Sequence, residues 1–205
     1  NYVAMLPNES GVKNGLELLM NDENTFKENI KSYLQENLTV GDIDVNIMTK
    51  VDKDNFIKEE QLPVEYNDAH AALRGFANSI LNSSVVLSAG MNPRLFAYFK
   101  NFPAFFPDLN DHLAKKIILK VSDFRSAMIQ GNFLAKKGLW VSEYRIESGL
   151  NCGGHAFATD GYLLGPILEE FKQKKDQLIQ SAHDLMVKAL EQSAMHVPAK
   201  PLELK

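Results

Sequence analysis

The chain has 205 residues, of which 45% are hydrophobic and 23% are charged, a composition typical of a folded globular protein. The formal net charge of −4 provides no basic surface of the kind that nucleic-acid binding requires, and no long uninterrupted apolar run predicts a membrane span. The single cysteine excludes an intrachain disulfide and favours a reducing compartment, so we expect a cytoplasmic protein without a nucleic-acid or membrane partner.

Helical and strand-like segments alternate along the chain. Residues 1–41 form an N-terminal helical segment, with a helix over 26–37. The segment 66–82 has helical spacing, because Ala69, Leu73, Phe76 and Ile80 recur at steps of three and four. Strands are predicted at 42–50, 83–90, 115–122 and 139–149, and further helices at 92–102, at 123–138 and from Pro166 onward.

Residues at the helix ends support these boundaries. Asn67 or Asp68 caps the helix of 66–82, Asn92 precedes a proline suited to a first helical turn, Asp123 caps the next helix and Gly138 ends it. The helix that begins at Pro166 carries one apolar stripe, which we interpret as packing surface rather than a partner-binding site. The stripe consists of Ile167, Leu168, Phe171, Leu178, Ile179, Ala182, Leu185, Met186 and Leu190.

Alternation of strands and helices predicts an α/β fold with a parallel sheet, because each helix returns the chain across the sheet. We predict a single α/β domain over 1–205, in which residues 42–165 hold four strand–helix units and residues 166–205 a long helix and an extended tail. Eight units of about this length give the roughly 250 residues of a (β/α)8 TIM-type barrel. We therefore expect part of such a barrel, from a partial or processed chain, and the alternative is a small open parallel sheet.

Loops that follow the strands of a parallel sheet meet at one edge, which is where such proteins bind ligands. This rule brings together Asn46 on the first strand, Ser88 and Gly90 after the second, Lys120 on the third and Glu147 at the end of the fourth. A lysine in a doubly covered strand needs a partner or a water-filled cleft. The alternative is that the stem of Lys120 packs while its amine reaches solvent.

The run "YRIESGLNCGGHAFATDG" at 144–161 concentrates chemistry in one loop. Gly149, Gly153 and Gly154 allow the backbone to bend or to approach a ligand closely, and His155 has an imidazole that can act as an acid or a base near neutral pH. Its alternative is an ordinary loop histidine. Cys152 is either a nucleophile or a small buried residue, and no second cysteine or histidine at zinc spacing accompanies it, so we expect no metal site.

The aromatic run "FPAFFPDL" at 102–109 is interpreted as a turn that packs on the core. The alternative interpretation is a lid over the ligand site.

The segment "KKIILKVSDFRSAMIQGNFLAKKGLWVSEYRIESGLNCGGHAF" resembles the middle of the nitronate monooxygenase (2-nitropropane dioxygenase) family. These are FMN-dependent (β/α)8 barrels, and the resemblance covers residues 42–170. The family pattern is a strand with a lysine, a helix, a strand ending in glycine, and a Glu-Ala-Gly-Gly-His loop. Asn151 and Cys152 stand here in place of Glu-Ala, and the Gly-Gly-His core matches.

The resemblance implies a flavin-dependent oxidoreductase that acts on a small molecule, with FMN as its cofactor. His155 would be the histidine that handles substrate beside the flavin, and Lys120 the strand lysine close to it. Asn46 and the Ser88–Gly90 strand end would line the site, together with Gly149, Cys152, Gly153 and Gly154 of the loop. The family holds the cofactor phosphate on later loops, so either a second chain, as in a homo-oligomer, or a missing C-terminal half would complete the site.

A second function class is a binding protein without catalytic activity. The long amphipathic helix and the altered loop also suit a non-catalytic α/β module that binds a ligand or a partner. Thiol chemistry at Cys152 is a third possibility, and it predicts sensitivity to alkylation.

Overall fold

The computed structural model describes residues 8–20, 32–33, 36–37, 44–47, 52–88, 90–147 and 164–205, and it divides the chain into two compact units, Asn1–Asp42 and Ile43–Lys205. In the first unit, helix α1 spans Gly11–Met20, within the predicted N-terminal helical segment 1–41 but before the helix predicted at 26–37. The described residues of the predicted helix 26–37, namely 32–33 and 36–37, are helical.

The second unit is an α/β structure with a four-stranded parallel sheet, which confirms the predicted fold class. The strands are β1 Val45–Ile47, β2 Phe56–Ile57, β3 Glu60–Gln61, β4 Ser84–Leu87, β5 Lys116–Val121 and β6 Val141–Ile146. The four-stranded sheet has the order β1, β4, β5, β6, and every neighbouring pair is parallel. Strands β2 and β3, which lie between β1 and β4 in the sequence, form a separate antiparallel hairpin that was not predicted.

The helices of this unit connect successive strands of the sheet. They are α2 Asp68–Ala77, α3 Pro93–Tyr98, α4 Phe124–Ala135 and α5 Leu164–Gln192. Each helix contacts the next one along the chain. A strand order that follows the sequence, with right-handed crossovers, places all crossover helices on one face of the sheet.

Side chains alternate between the two faces of the sheet, as its pleat requires. Val85 and Leu87 of β4, and Ile117 and Leu119 of β5, point into the core beneath the helices. The opposite face carries Asn46, Val86, Ile118, Lys120 and, beyond a bulge between β5 and β6, Glu143 and Arg145.

The two edges of the sheet approach each other on the face opposite the helices. Arg145 on one edge strand contacts Asp44, directly before the other edge strand, with 2.7 Å between Nη2 and Oδ2. Four flat strands would place these edges about 14 Å apart, given about 4.8 Å between strands. Twist and bending of the sheet together therefore bring its edges closer on this side. We call this side the concave face.

The Arg145–Asp44 contact predicts a measurable coupling between the two edge strands. In a double-mutant cycle of Arg145→Met and Asp44→Asn, we expect a coupling free energy of about 0.5–1 kcal/mol, because both groups are partly exposed. Urea unfolding of the four proteins measures it. A coupling of zero would contradict a stabilising role for this ion pair.

The predicted helix boundaries are correct at three of their capping residues. Asn92 accepts a hydrogen bond from Leu95 N at 3.1 Å, Asp123 accepts one from Ser126 N at 2.6 Å, and Gly138 has a φ of +78° just after α4. Asn67 occupies the N-cap position of α2 without making the cap bond. The Asp52 carboxylate accepts from Ala69 N instead.

Two predicted apolar positions are exposed. Ile80 is fully exposed, because α2 ends at Ala77 instead of continuing to residue 82. Leu168 is 45% exposed on α5, while most of the other stripe residues are buried or half-buried against the core. Phe105 and Phe106 are buried, so the run 102–109 packs on the core as predicted.

The C-terminal tail lies along the outer edge of β6. Lys205 N donates to Ser142 O at 2.9 Å, and Tyr144 N donates to Lys205 O at 3.0 Å, which is the hydrogen-bond pattern of parallel strands. Trp140 Nε1 also donates to Glu203 O at 2.9 Å, and Leu202 and Leu204 pack on the core. Residues 203–205 thus occupy the position of a fifth parallel strand.

Candidate functional site

The concave face opens towards the carboxyl ends of its strands. Val86 and Ile118, in the middle of the face, are each 3% exposed. Lys120, two residues further along β5, is 25% exposed at its side chain, and Glu147, directly after β6, is 30% exposed. The strand ends, where the sequence analysis places the ligand site, are therefore accessible, whereas Val86 and Ile118 in the middle of the face are covered.

Lys120 and Glu147 form an ion pair at this open end. The distance between Lys120 Nζ and Glu147 Oε1 is 2.7 Å. Lys120 therefore has the partner that a lysine within a buried strand requires. Because both side chains remain partly exposed, a donor and an acceptor lie side by side at the surface of the face.

Arg145 is held on two sides by carboxylates. Glu143 on the same strand and Asp44 before β1 both contact its guanidinium, and the hydrogen bonds to Glu143 and then Asp44 raise the pKa of Arg145 above its usual value. The positive charge of Arg145 is thus balanced by the carboxylates of Glu143 and Asp44. The Lys120–Glu147 and Arg145 groups together carry no surplus positive charge at this face.

Three further predicted residues lie at the same edge. Asn46 is exposed on β1 beside Val86, and Ser88 follows β4 on the concave side. Gly90 has a φ of +123°, a conformation that favours glycine. The structure therefore brings Ser88 and Lys120 to one face and one end of the sheet, and Asn46 lies two residues before that end on the same face.

The glycine-rich loop lies outside the described residues. Gly149, Cys152, Gly153, Gly154 and His155 all belong to it, and their predicted roles stay predictions. The described chain leaves β6 at Glu147, so this loop begins beside the ion partner of Lys120.

A buried polar cluster near the same end was not predicted. Asp52 follows β1, and its Oδ2 lies 2.9 Å from His70 Nδ1 and 3.1 Å from Asn92 Nδ2. The side chains of Asp52 and His70 are 0% and 1% exposed. His70 Nδ1 is not aligned for a hydrogen bond, so this contact is close without being directional. Tyr98 packs on the imidazole with 5.0 Å between ring centroids.

This cluster fixes the loop after β1 to the start of α2 and α3. A carboxylate that is fully buried must be paired or hydrogen-bonded, and Asp52 accepts hydrogen bonds from Ala69 N and Asn92 Nδ2 while lying against the His70 imidazole. The burial of His70 excludes direct contact with a substrate in this conformation. We assign the cluster a supporting role beneath the site.

Neither a metal site nor a membrane helix is found in the described part of the chain. Its histidine, cysteine, aspartate and glutamate side chains form no group of three or more that could hold a metal ion. None of its helices combines the length and the apolar character needed to span a membrane.

Comparison of the chain with protein-family models, with characterised proteins and with solved structures finds no match. The resemblance to nitronate monooxygenases therefore stays a prediction, carried by the residues quoted above. The structural observations that bear on function are therefore those of the concave face.

Proposed function

We propose that the chain is the flavin-binding part of an FMN-dependent, nitronate monooxygenase-like oxidoreductase that acts on a small molecule. The observation that carries this proposal is the accessible carboxyl end of the concave face, with Lys120 and Glu147 beside the start of the glycine-rich loop. Open parallel sheets and barrels bind their cofactors at this end.

The donor set suits the flavin ring better than the cofactor phosphate. Asn46, Lys120 and Glu147 offer donors and acceptors that match the polar edge of an isoalloxazine ring. Lys120 and Arg145, the cations of the described concave face, each have a carboxylate partner, so this face offers a phosphate dianion no surplus positive charge. The lack of surplus positive charge on this face agrees with the family resemblance, which implies that later loops hold the cofactor phosphate.

We also propose that the four strands are an arc of a (β/α)8 barrel. Three observations support this: the strand order follows the sequence, the two edges of the sheet approach each other on the side opposite the helices, and residues 203–205 occupy a fifth parallel position beside β6. A closed barrel would pair both sheet edges and enclose the concave face.

In the proposed enzyme, bound FMN would supply the electron-transfer chemistry. His155 would hold or move a proton at the substrate, a role for which imidazole is suited near neutral pH. Lys120 would stabilise negative charge on the ring. Gly153 and Gly154 would let the backbone lie close to that ring.

Flavin titration tests the proposal. We expect FMN to bind with quenching of flavin fluorescence, and riboflavin to bind within tenfold of FMN, a difference below about 1.4 kcal/mol, because the described cations leave the phosphate unmatched. Absence of flavin binding would contradict the proposal. A phosphate-dependent preference well above tenfold would contradict the assignment of the site to the ring.

Replacement of His155 tests the catalytic role. In the flavin-loaded protein, His155→Ala should lower turnover of a nitronate substrate by about 100-fold or more, the usual contribution of general acid–base catalysis. The matched control is His112→Ala, since His112 is an exposed histidine before β5, at the other end of the sheet. Flavin binding without any turnover would instead favour a non-catalytic binding module.

A further inference from the structure

The Lys120–Glu147 pair presents a donor and an acceptor next to each other. We propose that this pair recognises a cis-amide edge, a ring C=O and N–H on neighbouring atoms, as found in lactams, cyclic imides and the pyrimidine edge of flavins. This inference rests on the proposed function. It goes beyond it by naming Glu147 as the residue that selects the ligand's N–H.

The spacing of the two groups fits such an edge. Lys120 Nζ and Glu147 Oε1 are 2.7 Å apart, and both side chains are partly exposed on the same side of the sheet. A ring lactam directs its C=O and N–H in the same direction from adjacent atoms. The ammonium then donates to the carbonyl oxygen while the carboxylate accepts from the N–H, giving two parallel, charge-assisted hydrogen bonds.

The charges of the pair select against simple anions. A phosphate or carboxylate attracted to Lys120 meets the Glu147 carboxylate at the same place, and like charges in contact disfavour binding. A neutral ring with both a donor and an acceptor satisfies both partners at once. Specificity thus comes both from repulsion between Glu147 and an anionic ligand and from the two hydrogen bonds to a neutral ring.

No other charged group on the described concave face offers the same arrangement. Arg145 already contacts Glu143 and Asp44, and its link to Asp44 joins the two edges of the sheet. Lower on the face, Val86 and Ile118 are almost fully buried and carry no polar group. The Lys120–Glu147 pair is therefore the charged feature of this face that a ligand entering from the strand ends meets.

Two ring ligands without a phosphate test the inference. Lumiflavin retains the imide N–H, and N3-methyllumiflavin replaces that hydrogen with a methyl group. We expect the methylated ring to bind at least tenfold more weakly, about 1.4 kcal/mol or more. The ring then has no N–H to donate to Glu147, and the carboxylate loses water to the ligand without gaining a hydrogen bond from it. In Glu147→Leu, the two rings should bind within about threefold of each other.

A matched ion-pair variant controls for general effects of removing a carboxylate. Glu170→Leu removes the partner of Lys174 on α5, a pair of similar length and partial exposure, and should leave the tenfold discrimination intact. Equal binding of both rings to the unchanged protein would overturn the inference while FMN binding still supports the proposed function. Failure of FMN and both rings to bind would overturn the proposed function and this inference with it.

Discussion

Replacing Gly138 with alanine should lower the free energy of unfolding by about 2–4 kcal/mol. Gly138 has a φ of +78°, which costs a residue with a side chain about 1–2 kcal/mol. An alanine Cβ would lie 2.9 Å from Leu190 Cδ2 and 3.2 Å from Phe106 Cε1, so the packing of α5 and of the 102–109 turn must also shift. Urea unfolding followed by circular dichroism measures the loss.

Gly75 offers a matched control for this substitution. It lies within α2, where an added Cβ meets no atom within 4 Å. Gly75→Ala should raise the free energy of unfolding by about 0.5–1 kcal/mol, because alanine favours the helix. Equal effects of the two substitutions would contradict the packing described around Gly138.

Removing the buried charge of Lys115 should also be costly. Lys115 is 3% exposed, and its Nζ donates to Ser79 O at 3.1 Å and to Leu81 O, while lying 4.6 Å from the centroid of the Phe76 ring. Burial lowers the pKa of Lys115 below its usual value. The side chain nevertheless supplies hydrogen bonds to carbonyl groups just beyond the C-terminus of α2.

Lys115→Met should therefore lower the free energy of unfolding by about 2–3 kcal/mol, since a charged donor is lost and its partly buried acceptors lose their partner. Lys116→Met is the control, because Lys116 is the neighbouring residue and is exposed. It should change stability by no more than about 0.5 kcal/mol. If both variants lost the same stability, the hydrogen bonds of Lys115 to the residues after α2 would not be what stabilises this region.

Local sequence signals predicted the parallel sheet and its helices well. Asp123 and Gly138 mark the two ends of α4, and the apolar runs "VVL" and "KIILKV" identify buried strands, since these signals lie within a few residues of the structure they specify. The helix α2 was predicted too long. Ile80 continues the apolar period of the sequence, although the helix ends at Ala77. Beyond that end, the backbone carbonyl groups of Ser79 and Leu81 accept hydrogen bonds from Lys115, which is far away in the sequence.

Contacts between distant residues could not be predicted in this way. Arg145 and Asp44 are separated by 101 positions, and no local pattern identifies them as partners. The Asp52–His70 contact likewise joins a loop to a helix, and the hairpin Phe56–Gln61 is too short for its alternation to be recognised. The position of Lys120 followed from strand periodicity, whereas its partner Glu147 depends on the register between β5 and β6.

Hydrogen exchange with and without FMN tests most directly whether the carboxyl end of the concave face is the ligand site. We expect protection to increase in peptides that cover residues 84–91, 118–123 and 144–156, because the ring would lie over these strand ends. Peptides over 108–116, before β5, should not change. Protection limited to that opposite end, or none under conditions in which FMN is bound, would contradict the assignment of the site.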